Sequence, residues 1–159
     1  MSIGPTGTEK WYLNGRLHRE DGPAVTYITG TEKWYMNGRQ HREDAPAITH
    51  PSGYQAWYLN GKLHRVDGPA ATYANGIEHW YLNGELHRVD GPAAVYVTGA
   101  KYWYLNGKRH REDGPAVIED GGRKEWYLNG ELLTDDEVWA LNFTKQIDEA
   151  VNNEAQISY

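Results

Sequence analysis

The sequence is poor in several residue types that identify common protein classes. It contains no cysteine and a single phenylalanine among its 159 residues. Without cysteine, disulfide bonds and thiolate metal sites are excluded. Acidic residues outnumber basic ones, 22 to 16, and the net charge is −6. This balance argues against a general binder of double-stranded nucleic acid or of anionic membranes.

Long apolar runs are missing as well. A membrane-spanning helix needs about 20 consecutive apolar residues, and no stretch of the sequence approaches that length. The first residues also lack a basic segment followed by an apolar one, which is the pattern of a secretion signal. We therefore expect no membrane span and a cytoplasmic location.

Tryptophan, tyrosine and glycine are abundant, with 7, 12 and 18 copies, and many of them recur at a fixed period. Six tryptophans follow one another at steps of 23 residues, and each is followed by Tyr, then Leu or Met, then Asn-Gly. In five copies His-Arg comes three residues after that Gly, and an Asp two residues after the Arg. The repeated tryptophans are Trp11, Trp34, Trp57, Trp80, Trp103 and Trp126. Such self-similarity is typical of a repeat array.

Each unit has the local chemistry of short β-strands. Asn14-Gly15 is the favoured pair for a type I′ turn, so residues 9–13 and 16–19 are predicted to pair as a hairpin. Asp21-Gly22-Pro23 ends that pairing, and the β-branched run 24–28 forms a third strand. The predicted fold is all-β: an elongated array of six 23-residue β-hairpin repeats, as a single-layer sheet or a solenoid, with a C-terminal capping α-helix.

The predicted domain organisation follows the repeat. It comprises a partial N-terminal unit at 1–7, six tandem repeats at 8–133, a capping helix at 134–151 and a frayed tail at 152–159. Thr134 and Glu137 have the spacing of a capping box, which indicates where the helix begins.

The helix carries an apolar stripe at helical spacing, formed by Trp139, Phe143, Ile147 and Ala150. We expect this stripe to cover the open face of the sixth unit, because terminal repeats need a cap. A helix that binds a partner or dimerises is the alternative.

The repeated residues are interpreted as structural frame. His64 and Asp67 could form a general-base pair, but the same group occurs five times, whereas an enzyme usually needs one site. We expect Asp67 to cap its turn, Arg65 to pair with an acid and His64 to bond a backbone carbonyl. Trp is expected to stack on Trp from unit to unit, and Tyr on Tyr. No catalytic residue is predicted.

Three other roles for the repeated side chains were weighed. One His per unit without a second nearby ligand does not suit a metal, so neither a metal nor a cofactor is predicted. The Arg and Tyr rows could stack the bases of single-stranded nucleic acid, although each Arg stands two residues before an Asp. Exposed aromatic rings could also hold a carbohydrate or a nucleotide.

Recognition is assigned to positions that differ between units, chiefly the three residues before each Trp. In the central units these positions become apolar or aromatic. Tyr54, Ile77 and Tyr102 are expected on one row, where they would form a patch of the kind that marks a partner site. The predicted partner-binding residues are Tyr54, Gln55, Ile77, His79, Lys101 and Tyr102.

The motif Trp-Tyr-Leu-Asn-Gly-x-x-His-Arg-x-Asp-Gly-Pro-Ala resembles MORN repeats and their variants in bacterial, tailed-phage and large-virus proteins. It differs from the usual MORN pattern because Arg-Glu-Asp-Gly-Pro stands where a His-Gly-x-Gly segment would be. The resemblance implies an elongated array of β-hairpins that interacts with other molecules and performs no reaction.

The same resemblance suggests a function. It implies a phage or bacterial inhibitor, either an anti-defence factor or an antitoxin, that binds and blocks a host protein in the host cytoplasm. One alternative is a ligand-sequestering module for a carbohydrate or nucleotide. A second is a membrane-associated MORN-type scaffold.

Overall fold

The computed structural model describes residues 1–4 and 7–157, without the side chains of 149–151 and 153–157. Its main element is one antiparallel sheet of 12 strands. The last strand of each of the first five units, which keeps its predicted name of third strand, pairs with the strand before its own Trp and with the strand before the next Trp. The strands of this large sheet are Ser2–Ile3, Glu9–Lys10, Val25–Thr26, Glu32–Lys33, Ile48–Thr49, Gln55–Ala56, Ala71–Thr72, Glu78–His79, Ala94–Val95, Lys101–Tyr102, Val117–Ile118 and Lys124–Glu125.

Six two-stranded ribbons continue from the large sheet, one in each unit. We number the units 1 to 6 by their Trp. The ribbons pair Tyr12–Leu13 with Arg16–Leu17, Tyr35–Met36 with Arg39–Gln40, Tyr58–Leu59 with Lys62–Leu63, Tyr81–Leu82 with Glu85–Leu86, Tyr104–Leu105 with Lys108–Arg109, and Tyr127–Leu128 with Glu131–Leu132. The predicted all-β repeat fold with one C-terminal helix is confirmed.

The ribbon turns have the predicted type I′ geometry. Both residues of the Asn-Gly pair have positive φ in all six ribbons, for example 50° at Asn14 and 74° at Gly15. The ribbons are also bonded to one another, because Gly38 N–H donates to the Leu17 carbonyl at 2.8 Å and Arg19 N–H donates to the Tyr35 carbonyl at 3.1 Å. The same two bonds recur between every later pair of units.

Each repeated Trp interrupts its strand, which differs from the prediction of one continuous run over residues 9–13. Glu9–Lys10 belongs to the large sheet and Tyr12–Leu13 to the ribbon. Trp11 lies between them: its N–H donates to Ala24 at 2.8 Å, and its carbonyl accepts from His18 at 3.0 Å. The backbone therefore changes its hydrogen-bonding partner at the Trp, and each complete unit contains four short strands rather than three.

The fully buried core consists of small aliphatic side chains rather than aromatic rings. It follows the third strands, where Ala24 and Val25 are 0% and 2% exposed and their equivalents in later units are similarly buried. The repeated Trp rings are half-buried. Our expectation that stacked Trp and Tyr rings would form the whole core is therefore wrong.

The C-terminal helix spans Asp135–Ile157. The capping box is present, since Thr134 N–H donates to the Glu137 carboxylate at 2.8 Å and Glu137 N–H donates back to the Thr134 hydroxyl at 3.4 Å. The helix continues through 152–157, where we expected a frayed tail, because no glycine or proline interrupts it. Residues 158–159 of that tail lie outside the described residues. The helix of the described chain is not long and apolar enough to cross a membrane.

The apolar stripe of the helix does not cover the sixth unit, contrary to our expectation. Trp139 is 66% exposed and stacks only on Phe143, at 5.1 Å between ring centroids. The half-buried helix face is instead the one with Val138, Leu141 and Lys145, and the Lys145 ammonium donates to the Glu112 carbonyl of unit 5. The side chain of Ala150 lies outside the described residues.

Candidate binding surfaces

Each repeated Trp in units 1 to 5 is covered by an arginine of its own unit. The guanidinium carbon of Arg65 lies 4.3 Å from the centroid of the Trp57 ring, and the other four pairs span 3.9 to 4.2 Å. Within the described residues no two of these indoles are in ring contact. The predicted Trp-on-Trp stacking is therefore wrong. Each of these Trp rings is in contact with an arginine cation, where we expected another indole ring.

Each of these arginines also pairs with the acid two residues later, as predicted. Arg65 Nε donates to Asp67 Oδ1 at 3.0 Å. In the equivalent pairs the arginine holds the pKa of the Asp21, Asp90 and Asp113 carboxyls below the usual range, chiefly through this hydrogen bond.

The glycine after each of these acids makes room for the guanidinium. A Cβ at Gly68 would lie 2.7 Å from Arg65 Cζ, a distance that real Cβ atoms essentially never show. Unit 2 has Ala45 at this position, and its Arg42–Asp44 hydrogen bond is the longest of the five at 3.3 Å. The units with glycine therefore have the shorter Arg–Asp hydrogen bond, and with alanine Arg42 still lies 3.9 Å from the Trp34 ring.

The repeated histidine bonds the next unit rather than a backbone carbonyl, which corrects our expectation. His64 Nδ1 accepts the N–H of Asn83 at 3.1 Å, and the Asn83 side-chain oxygen lies 2.9 Å away. The same backbone contact occurs in all five units that have the histidine. Because Nδ1 accepts this backbone N–H, we assign the proton of the neutral ring to Nε2. His64, Arg65 and Asp67 therefore all have partners within the frame.

A continuous row of rings crosses one face of the large sheet in the central units. We call it the aromatic row; its members are Tyr54, Tyr73, His79, Tyr96 and Tyr102. Consecutive ring centroids are 4.8 to 6.0 Å apart, with the planes inclined by 46° to 85°. The row ends at unit 5, where the Tyr102 hydroxyl donates to Glu119 Oε2 at 2.9 Å.

The predicted partner-binding residues fall on both faces of the large sheet. Tyr54, His79 and Tyr102 belong to the aromatic row, and Ile77 lies on the same face because it is two residues from His79. Gln55 and Lys101 occupy alternate strand positions, so they lie on the opposite face, where both are exposed. The structure thus brings four of the six residues together.

The repeat pattern did not identify Tyr73 and Tyr96, which complete the row. Each stands seven residues before a Trp, at the end of a third strand, where other units carry Tyr27, His50 and Glu119. Antiparallel pairing places this position opposite the third residue before the same Trp, as in the Tyr73 N–H to Ile77 carbonyl bond of 3.0 Å. The signal in the sequence was variation at two positions that pair across the sheet, seven and three residues before each Trp.

Burial alters the protonation of the aromatic row. It raises the pKa of the Tyr54 hydroxyl to about 12 and lowers the pKa of His79, whose Nε2 is buried without a hydrogen-bond partner in the described chain. The hydrogen bond to Glu119 raises the pKa of Tyr102. At neutral pH the row therefore presents uncharged aromatic rings, with three tyrosines packed around the His79 ring at 5.3 to 6.3 Å.

A second surface lies on the opposite side, where three successive grooves separate units 2 to 5. Each is lined by the Arg-x-Asp segment of one unit and by Trp, Leu and His of the next. Val66 and Val89 stand at the groove rims and are 78% and 82% exposed. We had not singled out these valines, although the sequence shows Glu at the same position in units 1, 2 and 5.

No group of three or more His, Asp or Glu side chains suited to a metal ion occurs among the described residues. Comparison of the sequence with protein-family models and with curated proteins gives no match. The aromatic row and the grooves are therefore characterised as candidate surfaces by their own geometry.

Proposed function

We propose that this protein is a protein-binding repeat array that recognises its partner through the aromatic row of the central units. The observation that carries the proposal is the uninterrupted sequence of ring contacts from Tyr54 to Tyr102 on an open sheet face. Tyrosine is enriched at protein interfaces because it offers a large rigid apolar area and a polar end.

The aromatic row is not needed to build the array. The equivalents of His79 are Lys10, Lys33 and Glu125 in units 1, 2 and 6, and those units fold in the same way. The hydrogen bonds that join the units come from the backbone and from the repeated His and Asn. Residues that differ while the frame is constant are the natural carriers of specificity in a repeat protein.

The shape of the row favours a protein over a small ligand. Neighbouring ring planes are inclined by at least 46°, so the rings form no coplanar platform for the flat face of a sugar or base. The row instead crosses strands of three consecutive units, 3 to 5, which suits a long, continuous contact. An inhibitor that blocks a host protein by binding it, as the repeat resemblance suggests, is the biological form that we propose.

The proposal is tested with paired variants on the two faces of the sheet. Tyr73→Glu combined with Tyr96→Glu introduces charge into the row, and the matched control Glu78→Lys with Lys124→Glu changes charge on the opposite face. We expect the wild type and the control to capture the same protein from a host lysate. The Tyr variant should lose at least about tenfold in affinity, as for a central interface tyrosine. Capture that survives in the Tyr variant, or no capture by folded wild type, contradicts the proposal.

A further inference from the structure

The three grooves form a second row of equivalent sites, on a different surface from the aromatic row. They lie between units 2 and 3, 3 and 4, and 4 and 5, with volumes of about 500, 390 and 580 Å³. Each contains one repeated Trp, namely Trp57, Trp80 or Trp103. An arginine of the same unit covers one side of each indole, and the indole also lines the groove.

The central units differ from the others at one position that changes the chemistry of these grooves. In units 1, 2 and 5 a glutamate lies 3.5 to 3.6 Å from the Nε2 atom of the repeated His. Units 3 and 4 carry Val66 and Val89 instead, so His64 and His87 have no acid at Nε2. Since Nδ1 of both rings accepts a backbone N–H, each Nε2 carries a proton and is a free hydrogen-bond donor within the described chain.

Each of the two central units therefore offers the same three features at its groove: an indole, an exposed apolar valine and one N–H donor. These features suit a peptide in the polyproline II conformation. Such a peptide binds aromatic-lined grooves through apolar side chains, and its carbonyls are unpaired acceptors because the conformation has no internal hydrogen bonds.

The spacing of the grooves supports this conformation over an extended strand. Two strands per unit at about 4.8 Å each give a unit step of about 9.6 Å. A polyproline II helix rises about 3.1 Å per residue with three residues per turn, so every third side chain returns to the same side after about 9.3 Å. In a β-strand, residues three apart point to opposite sides.

Charge defines the ends of the expected peptide. The middle groove is lined by two arginines and two aspartates, whereas each outer groove adds a glutamate, Glu43 or Glu112, and so has one excess negative charge. The aspartates are the exposed partners: the side chain of Asp67 is 83% exposed and that of Arg65 is 27% exposed. A ligand with an apolar centre and basic ends complements this pattern.

We infer that the groove row binds a proline-rich segment of another protein, in the polyproline II conformation, with apolar residues at every third position and basic residues at both ends. Leu or Pro side chains enter the three successive grooves. The Nε2–H groups of His64 and His87 donate to peptide carbonyls, and Val66 and Val89 contact the prolines between them. This site shares no residue with the aromatic row, so the test of the peptide site is independent of the test of the proposed function.

The test uses the full chain and the peptide acetyl-Arg-Pro-Pro-Leu-Pro-Pro-Leu-Pro-Pro-Leu-Pro-Arg-amide, titrated by calorimetry and by tryptophan fluorescence. We expect saturable binding with a Kd below about 1 mM. Val66→Glu with Val89→Glu, which restores the residue that units 1, 2 and 5 carry, should weaken binding at least about tenfold by removing apolar contact and engaging the histidines. Glu43→Val, which removes the excess negative charge of one outer groove, should weaken binding of this Arg-ended peptide about threefold.

Matched controls separate this site from others. A peptide with every Pro replaced by Gly should bind at least about tenfold more weakly, because it loses the preformed conformation. Tyr73→Glu should leave peptide affinity unchanged, since Tyr73 lies on the other face. The inference is overturned if the wild-type protein shows no saturable binding, if the Val66→Glu/Val89→Glu variant binds as tightly as wild type, or if the Gly peptide binds equally well.

Discussion

Replacing Arg65 by methionine tests the contact that fixes each unit's Trp. The guanidinium carbon lies 4.3 Å from the Trp57 ring, and Nε bonds Asp67 at 3.0 Å. Methionine keeps an apolar stem of similar length but removes the charge and the planar face. A cation–π contact is worth about 0.5–1 kcal/mol when exposed and about 2 kcal/mol when desolvated. The half-buried Arg65 lies between these limits.

The ion pair contributes less, because its carboxylate is 83% exposed and such pairs are worth about 0–1 kcal/mol. We therefore expect Arg65→Met to lower the free energy of unfolding by about 2 kcal/mol, and Asp67→Asn by about 0.5 kcal/mol. With a urea m-value of about 2 kcal/mol per molar, the first change moves the midpoint by about 1 M.

The assay is urea unfolding followed both by tryptophan fluorescence and by far-UV circular dichroism, because coincident transitions show that the array unfolds as one unit. Arg65→Lys serves as a further control, since it keeps the charge and loses the planar stack. If Asp67→Asn destabilises the protein as much as Arg65→Met does, the ion pair rather than the ring contact holds the guanidinium. Our account of the frame would then be refuted.

Three further predictions concern the turns, the cap and His79. Asn83→Ala should cost about 1 kcal/mol more than Asn83→Gly in urea unfolding, because the turn residue has a φ of 55° that alanine rarely adopts. Thr134→Ala should remove about 1 kcal/mol of helix stability and lower the helical signal in circular dichroism, whereas Thr134→Ser should retain it. Burial lowers the pKa of His79 in the folded protein. The unfolded chain therefore binds a proton at a higher pH than the folded protein does, and the free energy of unfolding should fall as the pH drops below about 6.5. His79→Ala, which copies Ala56 of unit 3, should flatten this pH dependence of the urea midpoint; an unchanged slope would show that other groups cause it.

The sequence predicts most of the frame because the period and the turn chemistry are local. Asn14-Gly15 requires positive φ at two positions in any context, and the capping box of Thr134 and Glu137 depends only on residues three apart. The break of the strand at Trp11 could not be derived in this way. It depends on the Ala24 carbonyl, which the later return of the chain places beside the Trp N–H.

The stacking of Arg65 on Trp57 was missed for a related reason. The two residues are joined through the ribbon, and their contact depends on how the ribbon leaves the large sheet, which no pairwise spacing encodes. A signal was nevertheless present: the first five units carry both the Trp and the Arg, and the glycine that makes room for the guanidinium follows in four of them. The joint occurrence of the Trp, the Arg and the glycine in successive units could have indicated the contact.

The candidate surfaces were partly predictable. The departure of Tyr54, His79 and Tyr102 from the repeat pointed to the sheet face that carries the aromatic row, because residues alternate between the two faces of a strand. Val66 and Val89 were visible as departures from Glu, but their meaning depends on the His Nε2 atom, which only the bond from Asn83 to Nδ1 defines. The orientation of the C-terminal helix depends on tertiary contacts such as Lys145 to Glu112.

The central claim is that identical residues build the array while the unlike residues of the central units recognise the partner. Hydrogen exchange of the backbone, measured on the free protein and on its complex with the captured partner, tests this claim most directly. We predict new protection in the strands of units 3 to 5 that carry the aromatic row, around Tyr73, His79, Tyr96 and Tyr102. Protection spread evenly over all six units, or confined to the Asn-Gly turns, would contradict the account.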